Sequence, residues 1–221
     1  MAYRTPSPIW QTTVCLIFSL LVVLSLPTLA EATTTSFTFT SDQSYTMPWA
    51  MAGTTYGGIL QLTTTNFTST SATLAIMVTN TSDPTLGNRI TTFGADFQPT
   101  ATINSFTAGT KFTSYQTGNV NTSGGYRVDF CAFTSNNCNG GNVSSALISG
   151  ASDTFMVTLS GNFSSGFSLV DPVIKYQGGS PSNTFVATPE PAPGLLFLTG
   201  IILLGFWRYR NQLTKSFFKK A

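Results

Sequence analysis

Aspartates are the residues of this chain whose type and number could support acid–base chemistry. The sequence contains no histidine, so Ser-His and Cys-His pairs are excluded and no side chain has an ordinary pKa near neutral pH. Glycoside hydrolysis needs only two carboxyl groups that flank a sugar bond. The aspartates that could form such a pair are Asp42, Asp96, Asp129, Asp153 and Asp171. Nothing in their spacing places two of them together, so the sequence favours a protein without catalytic activity.

Residues 78–100 offer a second possibility for carboxylate chemistry. Asp83 and Asp96 could supply oxygen ligands to calcium. The same stretch fits a simpler interpretation, because residues 83–88 contain Asp-Pro and Gly-Asn pairs that commonly form turns. We therefore expect a hairpin here. No metal ion and no cofactor is predicted for the chain.

Two cysteines, Cys131 and Cys138, lie seven positions apart in the central part of the chain. Two thiolates without histidine would leave a tetrahedral zinc site half empty. A lone pair in an exported domain is typical of a disulfide. Because the enclosed loop is short, the bond should stabilise the fold by only about 2.5 kcal/mol. We expect it to fix the turn after a strand that ends near Phe130.

The elements that position these residues are predicted to be strands. Apolar residues alternate with polar ones in short runs bounded by Gly, Asn and Pro, which is the pattern of half-buried β-strands. The apolar residues of these runs are Phe37/Phe39, Ile59/Leu60/Leu62, Leu74/Ile76/Val78, Ile90/Phe93, Ile103/Phe106, Tyr126/Val128/Phe130, Phe155/Val157/Leu159, Phe167/Leu169, Val173/Ile174/Tyr176 and Phe185. About nine or ten strands at close spacing favour an all-β domain, a single β-sandwich over residues 33–187.

Charge is sparse in this central region. Residues 33–187 carry four basic and six acidic side chains, a balance of −2. A basic patch interleaved with aromatic residues is the usual footprint of nucleic-acid binding, and none is present. We therefore predict no nucleic-acid partner.

Residues 1–32 have the features of a secretory signal peptide. Arg4 precedes an apolar run over residues 14–26, and small residues follow at Ala30 and Ala32. The apolar run would make roughly 20 Å of helix, which is too short for a bilayer core of roughly 30 Å. We expect cleavage after Ala30 or Ala32, and hence export.

Residues 188–221 combine a short motif, an apolar segment and a basic tail. The motif is Pro189-Glu190-Pro191. Residues 194–207 are predicted to form a transmembrane helix of roughly 21 Å, which is also short for a full span, and Trp207 and Tyr209 suit the membrane interface. Basic residues resist translocation, so the tail should stay cytoplasmic. The predicted helix residues are Gly194, Leu195, Leu196, Phe197, Leu198, Ile201, Ile202, Leu203, Leu204, Gly205, Phe206 and Trp207, and the basic tail contains Arg208, Arg210, Lys215, Lys219 and Lys220.

This succession resembles the PEP-CTERM sorting signal. The resemblance covers about thirty residues, and the tail after Arg210 is longer than in many members of that family. It implies processing by an exosortase, a membrane-embedded cysteine protease of Gram-negative bacteria that make exopolysaccharide. The expected partners are therefore the exosortase, the membrane and exopolysaccharide.

Two stretches of the central region resemble the PEP-CTERM group called cistern proteins. They are NTSDPTLGNRITTFG and DFCAFTSNNCNGG, in which an Asn-Thr-Ser turn precedes an Arg-Ile-Thr strand and a cysteine pair precedes Gly-Gly. That group has no assigned activity, so the resemblance implies a fold and no mechanism.

The sequence thus predicts an exported, non-enzymatic envelope or matrix protein. One alternative is a carbohydrate-binding module in which exposed Trp49, Tyr45 or Tyr56 stacks on sugar rings. The other alternative is a glycoside hydrolase that uses two of the aspartates named above.

Overall fold

The computed structural model describes residues 34–50, 55–178 and 183–187. Within these residues the chain forms eleven strands in two antiparallel sheets, with two short 3₁₀ helices at Pro84–Leu86 and Val143–Ser145. This confirms the predicted all-β class, and it is the arrangement of a β-sandwich. No helix in the described ranges combines the length and apolarity that a membrane crossing requires. The predicted signal peptide and sorting segment lie outside the described residues.

The first sheet has the strand order β1-β10-β5-β8-β7, and β11 also pairs with β10. The second sheet has the order β2-β3-β4-β9-β6. The strands of the first sheet are β1 Ser36–Phe39, β5 Arg89–Gln98, β7 Ser114–Asn121, β8 Arg127–Phe133, β10 Phe167–Gln177 and β11 Asn183–Val186. Those of the second sheet are β2 Ser44–Ala50, β3 Gly57–Thr65, β4 Ser71–Asn80, β6 Thr102–Thr107 and β9 Ser152–Ser160.

Strand periodicity builds the core between the sheets. In β4 every second residue is buried, and the residues between them are partly exposed. Side chains at successive positions point to opposite faces of a strand, so each sheet offers one apolar face to the other. The largest fully buried core side chains include Trp49, Phe93, Phe112, Phe155 and Phe167. Burial of each such side chain contributes about 2 kcal/mol.

Two of the eleven strands, β2 and β7, contain none of the apolar runs from which the strands were predicted. In β2 the inward residues Tyr45, Met47 and Trp49 do alternate, but Pro48 interrupts the segment. Proline is compatible with the edge position that β2 occupies. In β7 almost every residue is exposed, so this edge strand has no apolar row that could mark it.

The predicted hairpin after β4 is wrong. The strand does end at Asn80 and the next begins at Arg89, but β4 belongs to the second sheet and β5 to the first. The connection therefore crosses between sheets. Asp83 caps its 3₁₀ helix by accepting hydrogen bonds from the main-chain N–H and Oγ1 of Thr85, at 2.8 and 2.6 Å. Gly87 ends the helix with a φ of 65°, a conformation that glycine adopts without strain.

Candidate functional site

Asp96 and Asp129 line a shallow surface depression on the first sheet. Its volume is ≈ 300 Å³, and its polar walls also include Gln98, Asn119 and Arg127. Asp96 lies near the end of β5, and Asp129 lies near the start of β8. This is where the structure brings together two of the aspartates that the sequence identified as candidates.

The antiparallel register of β5 and β8 brings the two aspartates together, at a point where the sheet becomes irregular. Regular pairing between β5 and β8 stops at Ala95 and Phe130. The register between β7 and β8 shifts after Thr117, where Gly118 and Asn119 both have positive φ. In such a bulge the extra residue is left unpaired and the hydrogen-bond ladder is locally disrupted. The N–H of Asp129 donates instead to Oδ1 of Asp96 at 2.8 Å.

Burial raises the pKa of the Asp96 carboxyl above its ordinary value. The hydrogen bond from the Asp129 N–H opposes this effect, and the negative charges of Asp129 and Asp171 reinforce it. Glycosidases use two carboxyl groups, one of them with a raised pKa, that flank the sugar bond. Here Asp96 already accepts a main-chain hydrogen bond, and the depression is open. The geometry thus indicates a structural role for Asp96.

Asp153 lies elsewhere, buried at the start of β9. Its carboxylate accepts hydrogen bonds from Thr110 N and Oγ1 and from the N–H groups of Lys111 and Phe112, all between 2.8 and 2.9 Å. Burial alone would raise the pKa of Asp153, but these hydrogen bonds outweigh it and hold the pKa below its ordinary value. Asp153 therefore anchors the loop that follows β6.

Asp42 and Asp171 also serve the fold. Asp42 accepts from the Phe67 N–H at 2.9 Å, and Asp171 accepts from the Thr35 N–H at 3.0 Å. Asp83 and Asp96 are far apart, because Asp83 precedes the start of β5 at Arg89 and the seven residue steps from Arg89 to Asp96 extend about 23 Å along that strand. Among the described residues, no group of three or more Asp, Glu, Cys or His side chains could hold a metal ion.

Cys131 and Cys138 form a disulfide, with their Cα atoms 6.3 Å apart. The bridge fixes the turn that follows β8, as the sequence predicts. Both cysteines are buried in a small apolar cluster that also contains Val128, Phe133 and Val173. This cluster lies on the outer face of the first sheet and is separate from the main core.

Lys175 is a buried residue beneath the segment that follows Cys138, and the sequence pattern did not mark it as a site residue. Only 4% of its surface is exposed, and its Nζ donates to the carbonyl oxygen of Asn139. Gln177, two positions along β10, accepts from the Gly141 N–H at 3.1 Å. Burial lowers the pKa of Lys175. Its one sequence signal is a lysine among the apolar residues Val173, Ile174 and Tyr176. Its role is to hold the segment that follows Cys138 against the sheet.

The proposed sugar-stacking platform is contradicted by the burial of its aromatic residues. Trp49 is 1% exposed and Tyr56 is 7% exposed, and both belong to the core. Tyr45 donates from its hydroxyl to the carbonyl oxygen of Thr38 at 2.6 Å and packs edge-on against Phe39. The sequence did not predict β2, so it could not show which face of that strand Tyr45 and Trp49 occupy.

No family model, no curated protein and no solved structure matches this chain. Its function is therefore inferred from its own residues.

Proposed function

We propose that this protein is an exported, non-enzymatic protein of the cell envelope or extracellular matrix. An exosortase sorts it through a PEP-CTERM signal in residues 188–221, and its β-domain lies among surface polysaccharide. The protein either stays anchored in the inner membrane or is released from it after sorting, and in both cases the β-domain lies outside the cytoplasm. The observation that carries the proposal is the succession of Pro189-Glu190-Pro191, the apolar residues 194–207 and the arginines that follow.

The physical properties of the motif support a recognition role. Two prolines favour an extended segment that cannot continue a helix. Glu190 is thereby presented just ahead of the apolar segment, in a defined conformation. The predicted helix is shorter than a typical bilayer core, and removal of a mismatched span relieves strain.

The β-domain also supports an extracytoplasmic location. Its disulfide is a bond that forms and persists in oxidising compartments and is rare in the cytosol of mesophiles. The described strands carry few charges, and most exposed positions are threonine, serine or asparagine. Such a surface stays hydrated without attracting charged polymers.

The contacts of the aspartates support a non-enzymatic role. Asp42, Asp96, Asp153 and Asp171 each accept a main-chain hydrogen bond that holds a strand or loop in place. A carboxylate occupied in this way is not poised to protonate a leaving group or to attack a sugar. A glycoside hydrolase thus lacks a supporting observation.

Replacement of Pro189, Glu190 and Pro191 together by alanine tests the proposal. In an exosortase-bearing host we expect this variant to be exported and inserted, but to accumulate with its tail attached. The matched control is Pro193→Ala, which removes a neighbouring proline outside the motif and should be processed normally. Normal tail removal from the triple variant would show that the motif is not a processing signal.

A further inference from the structure

The outer face of the second sheet is a broad surface without charged side chains. We call it the hydroxyl face, and it comprises the outward positions of β2, β3, β4, β9 and β6. Along β3, β4 and β9 these positions alternate with buried ones, and in all five strands they are partly or fully exposed. Most carry threonine or serine, and none carries Asp, Glu, Lys or Arg.

Strand register arranges the hydroxyl groups in rows. Thr65 pairs with Thr73, Thr73 pairs with Thr158, and Thr158 pairs with Ser105. One row therefore places four hydroxyl side chains on four adjacent strands. Neighbouring strands lie about 4.8 Å apart, and outward positions on one strand repeat about every 6.7 Å. The result is a two-dimensional array of small groups that donate and accept hydrogen bonds.

Apolar side chains form a strip within this array. Ala75 pairs with Met156, and Met77 pairs with Thr154 on the neighbouring strand. Met156 is 39% exposed. The hydroxyl face therefore combines hydrogen-bonding groups with a central apolar contact.

Charged residues of the strands are sorted to the other sheet. Arg89, Asp96, Arg127, Asp129, Asp171 and Lys175 all lie on strands of the first sheet. The described strands of the second sheet contain one charged residue, Asp153, which is only 5% exposed. Its carboxylate accepts hydrogen bonds from the loop at residues 110–112. The hydroxyl face is thus electrically neutral over its whole extent, which matches a neutral partner.

We propose that the hydroxyl face binds a neutral polysaccharide along its length. Sugar hydroxyls both donate and accept hydrogen bonds, as threonine and serine hydroxyls do, and the C–H faces of sugar rings fit the methionine strip. An anionic polymer would be expected to meet basic residues, which this face lacks. A second protein copy is disfavoured, since protein interfaces are depleted in serine and alanine. The inference rests on the proposed function, because that function brings polysaccharide to the protein.

Binding by the full-length protein in detergent tests this inference. The probe is the neutral fraction of exopolysaccharide from the organism that makes the protein, separated by anion exchange from the acidic fraction. Thr73→Lys/Thr154→Lys introduces two charges on the hydroxyl face. Thr73→Val/Thr158→Val removes hydroxyls but keeps the branched shape that suits a strand, so it remains informative if the lysine variant fails to fold. The matched control is Gln116→Lys/Asn121→Lys, on the exposed β7 of the first sheet.

We expect the wild type and the control to bind the neutral fraction equally well. Each face variant should bind about tenfold more weakly, the change that two or three lost hydrogen bonds produce. The inference is overturned if the wild type binds only the acidic fraction or neither fraction, or if the control weakens as much as the face variants. It is also overturned if the face variants lose self-association instead. If the tail is processed normally but the protein binds no polysaccharide, this inference fails and the proposed sorting role stands. If the protein binds polysaccharide but its tail is not processed, the sorting role fails and this inference stands.

Discussion

Thr35 and Asp171 are joined by two hydrogen bonds at the edge of the first sheet. The Thr35 N–H donates to Oδ1 of Asp171 at 3.0 Å, and the Asp171 N–H donates to the carbonyl oxygen of Thr35 at 2.8 Å. On the next residue of β10, the carbonyl oxygen of Pro172 accepts from the Ala187 N–H at 2.7 Å. Both ends of the described domain are therefore fastened at one point, two residues before the Pro189 of the proposed sorting motif.

Replacement of Asp171 by alanine should destabilise the domain by about 2 kcal/mol. Two effects add, because the variant loses the acceptor for Thr35 and places alanine at a φ of 45°. Asp171→Asn keeps an acceptor oxygen and tolerates this φ, so it should cost less than about 1 kcal/mol. Urea unfolding of both variants measures the difference. Equal losses of stability in the two variants would contradict this role.

Asp96→Asn should leave the protein as stable as the wild type at pH 7, or more stable by about 0.5 kcal/mol. The folded-state pKa of Asp96 is raised, so the carboxyl group stabilises the fold fully at a pH below its unfolded-state pKa. This stabilisation is lost as the pH rises through the folded-state pKa. Asparagine has no charge to bury, so it avoids this loss of stability, and its side-chain oxygen can still accept the hydrogen bond from the Asp129 N–H. The advantage should shrink as the pH falls towards about 4. Unfolding curves across this pH range check the trend, and an advantage that grows on acidification would refute it.

Loss of the disulfide should cost about 2.5 kcal/mol of unfolding free energy. Wild-type protein treated with a reductant and the Cys131→Ala/Cys138→Ala variant should show similar midpoints in urea. The variant itself should not respond to reductant, which controls for indirect effects of the reagent. A wild-type midpoint that does not change on complete reduction would show that the bridge adds no stability.

Trp49→Ala should destabilise the domain by about 3–5 kcal/mol, because it empties a large buried volume. Trp49→Phe fills most of that volume and should cost clearly less. If Trp49 instead formed a sugar-stacking surface, its replacement would change binding and leave stability within about 0.5 kcal/mol. Thermal unfolding of the two variants separates these roles.

The sequence was sufficient for features that depend on local pattern. Alternation in β4 and β9 predicted both strands and their buried faces, and the Cys131–Cys138 spacing predicted the disulfide. Features that depend on how strands associate were not predictable. The connection after Asn80 crosses between sheets because β4 finds its partners in β3 and β9. A local turn pattern carries no information about that choice.

The candidate site shows the same limit. Each aspartate was visible in the sequence, but the meeting of Asp96 and Asp129 depends on the pairing of β5 with β8, two strands that are not consecutive along the chain. Lys175 is buried where the segment that follows Cys138 contacts it, and tertiary cover of this kind leaves no periodic signal. Long-range packing, and not local preference, determined these positions.

Intact-mass measurement of the protein from the envelope of an exosortase-bearing host tests the central claim most directly. The full chain has a mass of 23.6 kDa. We expect a mature species that has lost the residues up to Ala30 or Ala32 together with the basic tail that follows residue 207. Exported protein that retains the complete tail in that host would contradict sorting through the PEP-CTERM signal.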